Sequence, residues 1–291
     1  MNNNFIFLVV VYNKKLEDST TLKTLLKYDL AGSKVVIHNN GPENVIIPHV
    51  MADLFSKINC TVELINCISN KPLGTLYNEF VVNKTFFDKY IILDDDSTIT
   101  DSYIDFLHQD DYDLGLPKII SIKDGVTYYP IKNDDVVLEN AYLDIQGVFS
   151  IGSGLIFTRL FLDTFSKYSI SPFDDRYALY GVDFSLFRRM RKLSNKSVGF
   201  RVKTCGKIFH SLSRTEGEES RFRCKERLID LSLTTRHYPT FKIYSDFLKK
   251  IIKETLFCRF GNLYAMFDSY LCGSHPRCRK INCLNRPLSK K

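Results

Sequence analysis

The sequence predicts an α/β fold: a mostly parallel, Rossmann-like central sheet flanked by helices, with a helical extension at the C-terminus. Three features predict it. Phe5 to Val11 is an unbroken apolar, β-branched run of the kind buried on both faces of a parallel sheet. Strand-like and helix-like segments then alternate with short connections as far as Asp96, the order of a doubly wound sheet whose ligands bind at the carboxyl ends of the strands. From about Ser220 to Leu271 the apolar spacing is mainly helical.

Taken in order, the first strand closes on Tyr12-Asn13. Leu22, Leu25, Leu26 and Leu30 recur at helical spacing behind Asp18 and Ser19, which suit a helix start, and Ala31-Gly32 suits its end. Val35 to His38 is the next strand, stopped by Asn39-Asn40-Gly41-Pro42. A strand at Val62 to Asn66, a helix near Thr75 to Phe87 and a strand at Tyr90 to Leu93 follow, the last running into Asp94-Asp95-Asp96. Beyond Leu114 the pattern changes. Asp124-Gly125, between Ile119-Ile120 and Val126 to Tyr129, marks a hairpin, and Gly152-Ser153-Gly154 opens toward Leu155-Ile156-Phe157. Leu228, Leu231, Phe247, Ile251, Leu256 and Leu263 are expected packing positions of the helical region. With no internal repeat or low-complexity linker, the expected division is one α/β domain over residues 1–238 and a helical, basic extension over 239–291.

A chain of 291 residues with 44% apolar side chains can bury one large core plus an appendage, which argues against disorder. No stretch reaches the roughly 18 consecutive apolar residues of a membrane span, and residues 1–11 lack the basic and small-residue features of a secretory signal. The expectation is a cytoplasmic protein. Its eight cysteines are scattered, which fits reduced thiols and no structural disulfide. The formal charge of +7 is concentrated partly at Arg277, Arg279, Lys280, Arg286, Lys290 and Lys291. Such a tail suits anionic lipid headgroups or diphosphates, or is simply solvated. No helix-turn-helix, zinc-finger or RNA-binding signature accompanies the charge, so nucleic acid is not the expected partner. Oligomeric state leaves no trace in the sequence.

Asp94 and Asp96 stand at i and i+2 at the end of an apolar strand, so the pleat points both carboxylates to one side at the edge where such sheets bind ligands. A pair of this kind can hold Mg2+ or Mn2+, which prefer oxygen ligands and recruit phosphate into their remaining positions. The same triplet can also begin a turn or cap the helix starting near Thr100.

Read together, a series of motifs resembles family 2 glycosyltransferases, especially the bacterial rhamnosyltransferase-like branch. The series runs Val9-Val10-Val11-Tyr12-Asn13, His38-Asn39-Asn40-Gly41, Asn70-Lys71-Pro72-Leu73-Gly74 with Asn78, and Leu93-Asp94-Asp95-Asp96-Ser97. It continues through Gly152-Ser153-Gly154, the segment Phe173 to Asp183, and His210, in the family's order over about residues 5 to 237. The resemblance implies a GT-A fold and transfer of a sugar from a UDP- or dTDP-sugar, such as dTDP-rhamnose or a UDP-hexose, to an acceptor hydroxyl with inversion. It also implies a saccharide or lipid-linked saccharide acceptor in bacterial surface-polysaccharide synthesis, O-antigen, capsule or lipooligosaccharide, with peripheral contact at the cytoplasmic face of the inner membrane.

The same resemblance assigns roles. Val11, Tyr12 and Asn13 look like the nucleobase and ribose shelf, and Asn39 stands where the family usually has an aspartate that reads the pyrimidine. Asn70 and Gly74 resemble the loop near the nucleotide. Asp94, Asp95 and Gly154 fall in the donor-binding elements, with Asp96 the direct metal ligand and Asp94 the contact to ribose or metal-bound water. Metal would stabilise the charge of the departing diphosphate. Asp183 matches the general base and sits where a helix starts, though a helix-capping role is the plain alternative. Val182 stands where the family commonly has glutamate. His210 resembles a histidine near the metal or diphosphate, but the following glycine is missing here.

Three further features have open readings. Arg214, Arg221 and Arg223 can clamp phosphate or form a solvated face with Glu216, Glu218 and Glu219. Cys272, His275, Cys278 and Cys283 can form a tetrahedral zinc set, though the spacing is not a familiar one. Two alternative functions remain. A metal-dependent nucleotidyltransferase would need a phosphate loop that Lys14-Lys15 alone does not make. A non-catalytic nucleotide-sugar-binding protein is favoured by Asn39 and Val182.

Overall fold

The computed structural model describes residues 4–82, 87–212 and 220–284. They form two compact units, one within 1–70, 79–172 and 189–217, the other within 71–78, 173–188 and 218–291.

The first unit is built on a mixed sheet. Strand and helix first alternate along the chain: β1 (Phe5–Val11), α1 (Thr20–Leu25), β2 (Lys34–Asn39), α2 (His49–Lys57), β3 (Thr61–Asn66), α3 (Leu73–Val82), whose residues up to 78 belong to the second unit, β4 (Lys89–Asp94) and α4 (Asp101–Leu107). Beyond these come β5 (Leu114–Ser121), β6 (Thr127–Tyr129), β7 (Ile131–Lys132), β8 (Asp135–Val136), β9 (Ala141–Leu143), β10 (Val148–Phe149), β11 (Ile156–Thr158), α5 (Arg159–Lys167), α6 (Val182–Ser194), whose residues up to 188 belong to the second unit, and β12 (Val202–His210). The sheet order is β3-β2-β1-β4-β11-β5-β12-β9, with β6 beside β5. β3, β2, β1 and β4 are parallel, and β1 is buried along nearly its whole length, as its apolar run requires. A single antiparallel strand, β11, stands between β4 and β5 and so returns β5 and β12 to the direction of β4. β7, β8 and β10 form a separate small sheet.

Most sequence-derived elements recur, with differences that have local causes. Ser19 caps α1 by accepting from Leu22 N at 3.2 Å, as expected, but the helix ends at Leu25 rather than near Ala31. Lys27 N and Tyr28 N bond three residues back, to Thr24 O and Leu25 O, so the chain tightens out of the α-helix and buries Leu30 from a turn. The helix α2 was not expected. Its N-cap is Pro48 with no side-chain cap, and it buries only Met51 and Phe55, four residues apart, too sparse a pattern to stand out. The expected end of the helix near Phe87 falls partly on 83–86, outside the described residues. The Asp124-Gly125 hairpin forms between β5 and β6, with Asp124 Oδ1 accepting from Val126 N and Gly125 at φ +70°.

The second unit carries α7 (Arg221–His237), α8 (Phe241–Leu256), α9 (Phe260–Cys272) and α10 (Pro276–Leu284). Leu228, Phe247 and Met266 form its apolar centre, with Cys224, Leu231, Ile251 and Tyr270 packed around them. A polar network secures the segment before α6. The fully buried Asp174 binds the Arg176 guanidinium at 2.6 and 2.7 Å and accepts from Tyr238 Oη at 2.7 Å. Among the described residues no helix is long and apolar enough to cross a membrane.

Candidate functional site

Parallel strands place their carboxyl ends along one edge of a sheet, and here that edge gathers chemistry. Val11, Asn39, Asp94 and His210 are the last residues of β1, β2, β4 and β12, which share one direction. Asp94, Asp96 and His210 form a group whose ligand atoms all lie within 4.8 Å of one another. His210 Nδ1 is 3.0 Å from Asp96 Oδ1, and Nε2 is 3.7 Å from Asp94 Oδ2.

Strand alternation does not by itself hold the two carboxylates together, because β4 ends at Asp94 and the next two residues turn. Hydrogen bonds from the start of α1 take over. Thr21 Oγ1 donates to Asp94 O at 2.5 Å and accepts from Ser97 N at 2.9 Å. Ser19 Oγ and Thr21 N donate to Asp95 O at 2.9 and 3.2 Å. Thr98 and Phe209 then exchange two backbone hydrogen bonds, which bring the end of β12, and so His210, to the acidic turn.

Two buried serines complete the support. Ser97 Oγ lies 3.1 Å from His210 Nδ1 and 2.8 Å from Ser153 Oγ, and Ser153 Oγ accepts from Asp94 N at 3.0 Å. Both serines occur within the quoted motifs, yet nothing in the sequence gave them a role, since a serine carries no sign of a partner 56 residues away. Thr21 had no signal at all.

The group fits a cation. Asp96 Oδ1 is buried and accepts no hydrogen bond, the approach of His210 Nδ1 lacking hydrogen-bond geometry. A buried carboxylate oxygen without a donor is rare. Carboxylates and an imidazole are a donor set that divalent cations accept. Asp95 is not part of the group; its Oδ1 pairs with Lys14 Nζ at 2.5 Å. Burial pushes the Asp95 carboxyl above its ordinary value, and the Lys14 ammonium only partly offsets this.

The other residues named from sequence fall as follows. Tyr12 follows β1 and is 52% exposed, and Asn13 adopts φ +50° and donates from its backbone to Gly41 O at 2.8 Å. Asn39 is buried. Its amide nitrogen donates to Glu43 O and Asn66 Oδ1, both at 2.6 Å, and its oxygen accepts from Gly41 N at 3.2 Å, so the side chain holds the turn after β2. Asn70, at φ +52°, accepts from Asn40 Nδ2 at 3.4 Å. Gly154 donates to Ile92 O at 2.7 Å, at φ +88°; a Cβ there would stand 2.6 Å from Pro117 Cγ.

In the second unit, Gly74 allows α3 to approach the segment before α6, since a Cβ would come within 2.7 Å of Asp174 O. Asn78 Nδ2 donates to Phe173 O and its Oδ1 accepts from Phe173 N, with a further bond to Asp175, so this asparagine braces the same segment. Asp183 lies half-buried in the first turn of α6, directly after the fully buried Val182. Asp230, which drew no attention in the sequence, sits beside Gly181, and burial raises its carboxyl despite the nearby Arg188 guanidinium.

Arg221 and Arg223 begin α7, while Arg214 lies outside the described residues. Cys272, His275 and Cys278 do not form a ligand group among the described residues, and the Cys283 side chain lies outside them. Cys272 Sγ bonds Asp268, His275 Nε2 is 3.1 Å from Glu226 Oε2, and burial pushes the Cys278 thiol up to about 12.

No protein-family model matches the chain, and no curated protein sequence matches it. Solved structures do. The first 349 residues of S. aureus TarS in complex with UDP-GlcNAc align with a TM-score of 0.55 at 14% identity, over 96% of this chain and 83% of that one. The same fragment with UDP gives 0.51 at 15% identity, over 91% and 80%. The larger S. aureus TarS chain gives 0.51 at 14% identity over 84% of this chain, which spans only 43% of its length. With its parallel β3-β2-β1-β4 half, its inserted antiparallel β11 and its flanking helices, the chain has the GT-A glycosyltransferase fold.

Proposed function

We propose that this protein is a nucleotide-sugar glycosyltransferase that uses Mn2+ or Mg2+ and transfers its sugar with inversion. One observation carries the reading: Asp94, Asp96 and His210 converge at the carboxyl edge of a GT-A sheet, where Asp96 keeps a buried oxygen without a hydrogen-bond donor. The alignment with a protein crystallised with UDP-GlcNAc and with UDP supports a UDP-sugar as donor, with a dTDP-sugar as the alternative.

Asp96 and His210 would hold the cation directly, and Asp94 would hold it or the ribose. Bound there, it supplies positive charge to the diphosphate oxygens. The exposed Tyr12 ring at the end of β1 offers a face for a nucleobase, and the backbone of Asn13, Asn70 and Gly154 shapes the neighbouring strand ends. Asp183 accepts the proton of the acceptor hydroxyl as its oxygen bonds the anomeric carbon, and the bond from that carbon to the diphosphate breaks with both electrons going to the leaving oxygen. A single displacement inverts the anomeric centre. Lys14 is committed to Asp95, so it does not provide the phosphate-holding lysine that nucleotidyl transfer would need near the first strand. The acceptor is a saccharide or lipid-linked saccharide of a bacterial surface polysaccharide, reached by peripheral contact with the membrane.

The test is turnover of UDP- and dTDP-sugars by the wild type with Mn2+ or Mg2+, compared with Asp96→Ala and Asp183→Asn. Metal-dependent release of UDP or dTDP that is abolished in Asp96→Ala supports the reading. Release of pyrophosphate from nucleoside triphosphates, or sugar transfer at wild-type rate by Asp183→Asn, overturns the reaction class or the base respectively.

A further inference from the structure

Among the described residues, the helices α8 and α9 leave an apolar surface uncovered. On α8 the exposed residues are Phe241, Tyr244, Leu248, Ile252 and Leu256, three or four positions apart along one stripe, with Phe241 93% and Leu256 75% exposed. On α9 they are Phe260, Tyr264, Phe267 and Leu271 at the same spacing, with Tyr264 73% exposed. Residues that pack inward, Phe247 on α8 and Met266 on α9, meet Leu228 of α7. Tyr244 Oη and Tyr270 Oη lie 2.8 Å apart, and Phe247 stacks on Tyr270, so the two helices lie side by side. At 100° per residue each stripe points away from the residues that meet α7. Scattered exposed apolar residues are ordinary on a protein surface, but two adjacent helices that each carry an exposed stripe, nine large side chains in all, are not.

Charge says what covers it. Lys242, Lys249 and Lys253 follow one another at helical spacing along one border of the α8 stripe, with Lys250 beyond them. The acids of these helices are few. Asp246 lies 3.6 Å from Lys249, Glu254 is buried and bonded to Asn262, and Asp268 pairs with Arg279. From residue 241 to 272 there are five Lys and Arg against three Asp and Glu, so the two helices carry a net positive charge. A second copy of the chain would bring the same lysines against the face and be repelled. A bilayer of anionic lipids satisfies both features, since it accepts the aromatic and aliphatic side chains at the depth of the headgroups while the lysine stems reach outward to phosphate.

We propose that the α8–α9 face is a docking surface for anionic membranes. The proposal rests on the membrane contact proposed above and gives it a surface, and turnover of nucleotide-sugar in solution tests the transferase reading separately. The chain contains no tryptophan, so Tyr264→Trp and Leu248→Trp each place a single reporter on the face. The measurement is fluorescence and co-sedimentation with vesicles of phosphatidylcholine alone, and of phosphatidylcholine with an equal part of phosphatidylglycerol. A blue shift and sedimentation with the anionic vesicles are expected. Joint Leu248→Glu and Tyr264→Glu abolishes binding, and joint Lys242→Ser, Lys249→Ser and Lys253→Ser weakens it by about a hundredfold, both with unchanged circular dichroism and melting temperature. Absence of binding by the wild type overturns the proposal. So does equal binding by the lysine variant, or a wild-type dimer in light scattering that the glutamate variant converts to monomer.

Discussion

His210 Nδ1 lies 3.0 Å from Asp96 Oδ1, a carboxylate oxygen that is buried and accepts no hydrogen bond, while the same ring nitrogen is 3.1 Å from Ser97 Oγ. An acid and an imidazole held this close can share a third partner. If that partner is a divalent cation, Asp96→Asn and His210→Ala each weaken Mn2+ binding, and nucleotide-sugar turnover falls by about a hundred to a thousand fold. Titration calorimetry with Mn2+ checks the binding directly; unaltered affinity in Asp96→Asn would put the ion elsewhere. Chelation of the wild type reproduces the loss and added Mn2+ reverses it.

Ser97 and Ser153 make the chain from His210 to Asp94 N continuous. Removing either hydroxyl leaves the ligands present but less fixed. Ser97→Ala and Ser153→Ala should therefore lower Mn2+ affinity by about 10–100-fold, with little change in melting temperature. Equal affinity in both variants would reduce the network to packing.

Gly206 sits at the irregularity of β12 that precedes His210, with φ +64° and room for no side chain: a Cβ would come within 2.5 Å of Ser102 O. Gly206→Ala combines left-handed backbone strain with a clash against main chain. The expected loss of stability is about 2–4 kcal/mol, read from the urea midpoint. A midpoint that does not move contradicts the close approach.

Glu226 meets the buried His275 ring at 3.1 Å and the Arg277 guanidinium at 3.1 Å. Burial works against its charge, but the hydrogen bonds and charges of His275 and Arg277 outweigh burial and hold its carboxyl below the ordinary 4.5. A carboxyl depressed in the folded state stabilises the fold above its unfolded value, and that contribution is lost as pH falls through the folded value. Glu226→Gln should cost about 3 kcal/mol at pH 7. The gap from wild type should close progressively as the pH is lowered below 4.5. Urea unfolding of both proteins across this range checks it; a gap that stays constant would assign the loss to packing alone.

The parts of the site legible in the sequence are those that lie on single elements. Asp94 and Asp96 announce themselves as acids after an apolar strand, Asp183 as an acid in the first turn of a helix, and the strand ends at Val11 and Asn39 as breaks in apolar runs. The cap at Ser19 and the hairpin at Asp124-Gly125 were equally readable, because caps and tight turns depend on residues a few positions apart. The amide of Asn39 is a contrasting case: its type suggested a base contact, while its buried position and its hydrogen bonds to the following turn and to Asn66 of β3 are visible only in three dimensions.

By itself, the sequence determined most of the strands and helices and which acids stand at their ends, though not α2, since periodicity, caps and breakers act within a few residues. The motif resemblance, and no local rule, put His210 with Asp94 and Asp96; tertiary structure alone decided that Ser97 would face a histidine 113 residues later, and that α8 and α9 would present their apolar stripes outward. The reason is that strand order is nonlocal. β12 reaches the edge occupied by β4 only because the antiparallel β11 is inserted between β4 and β5, and an amphipathic helix carries no mark of which of its faces will find a partner.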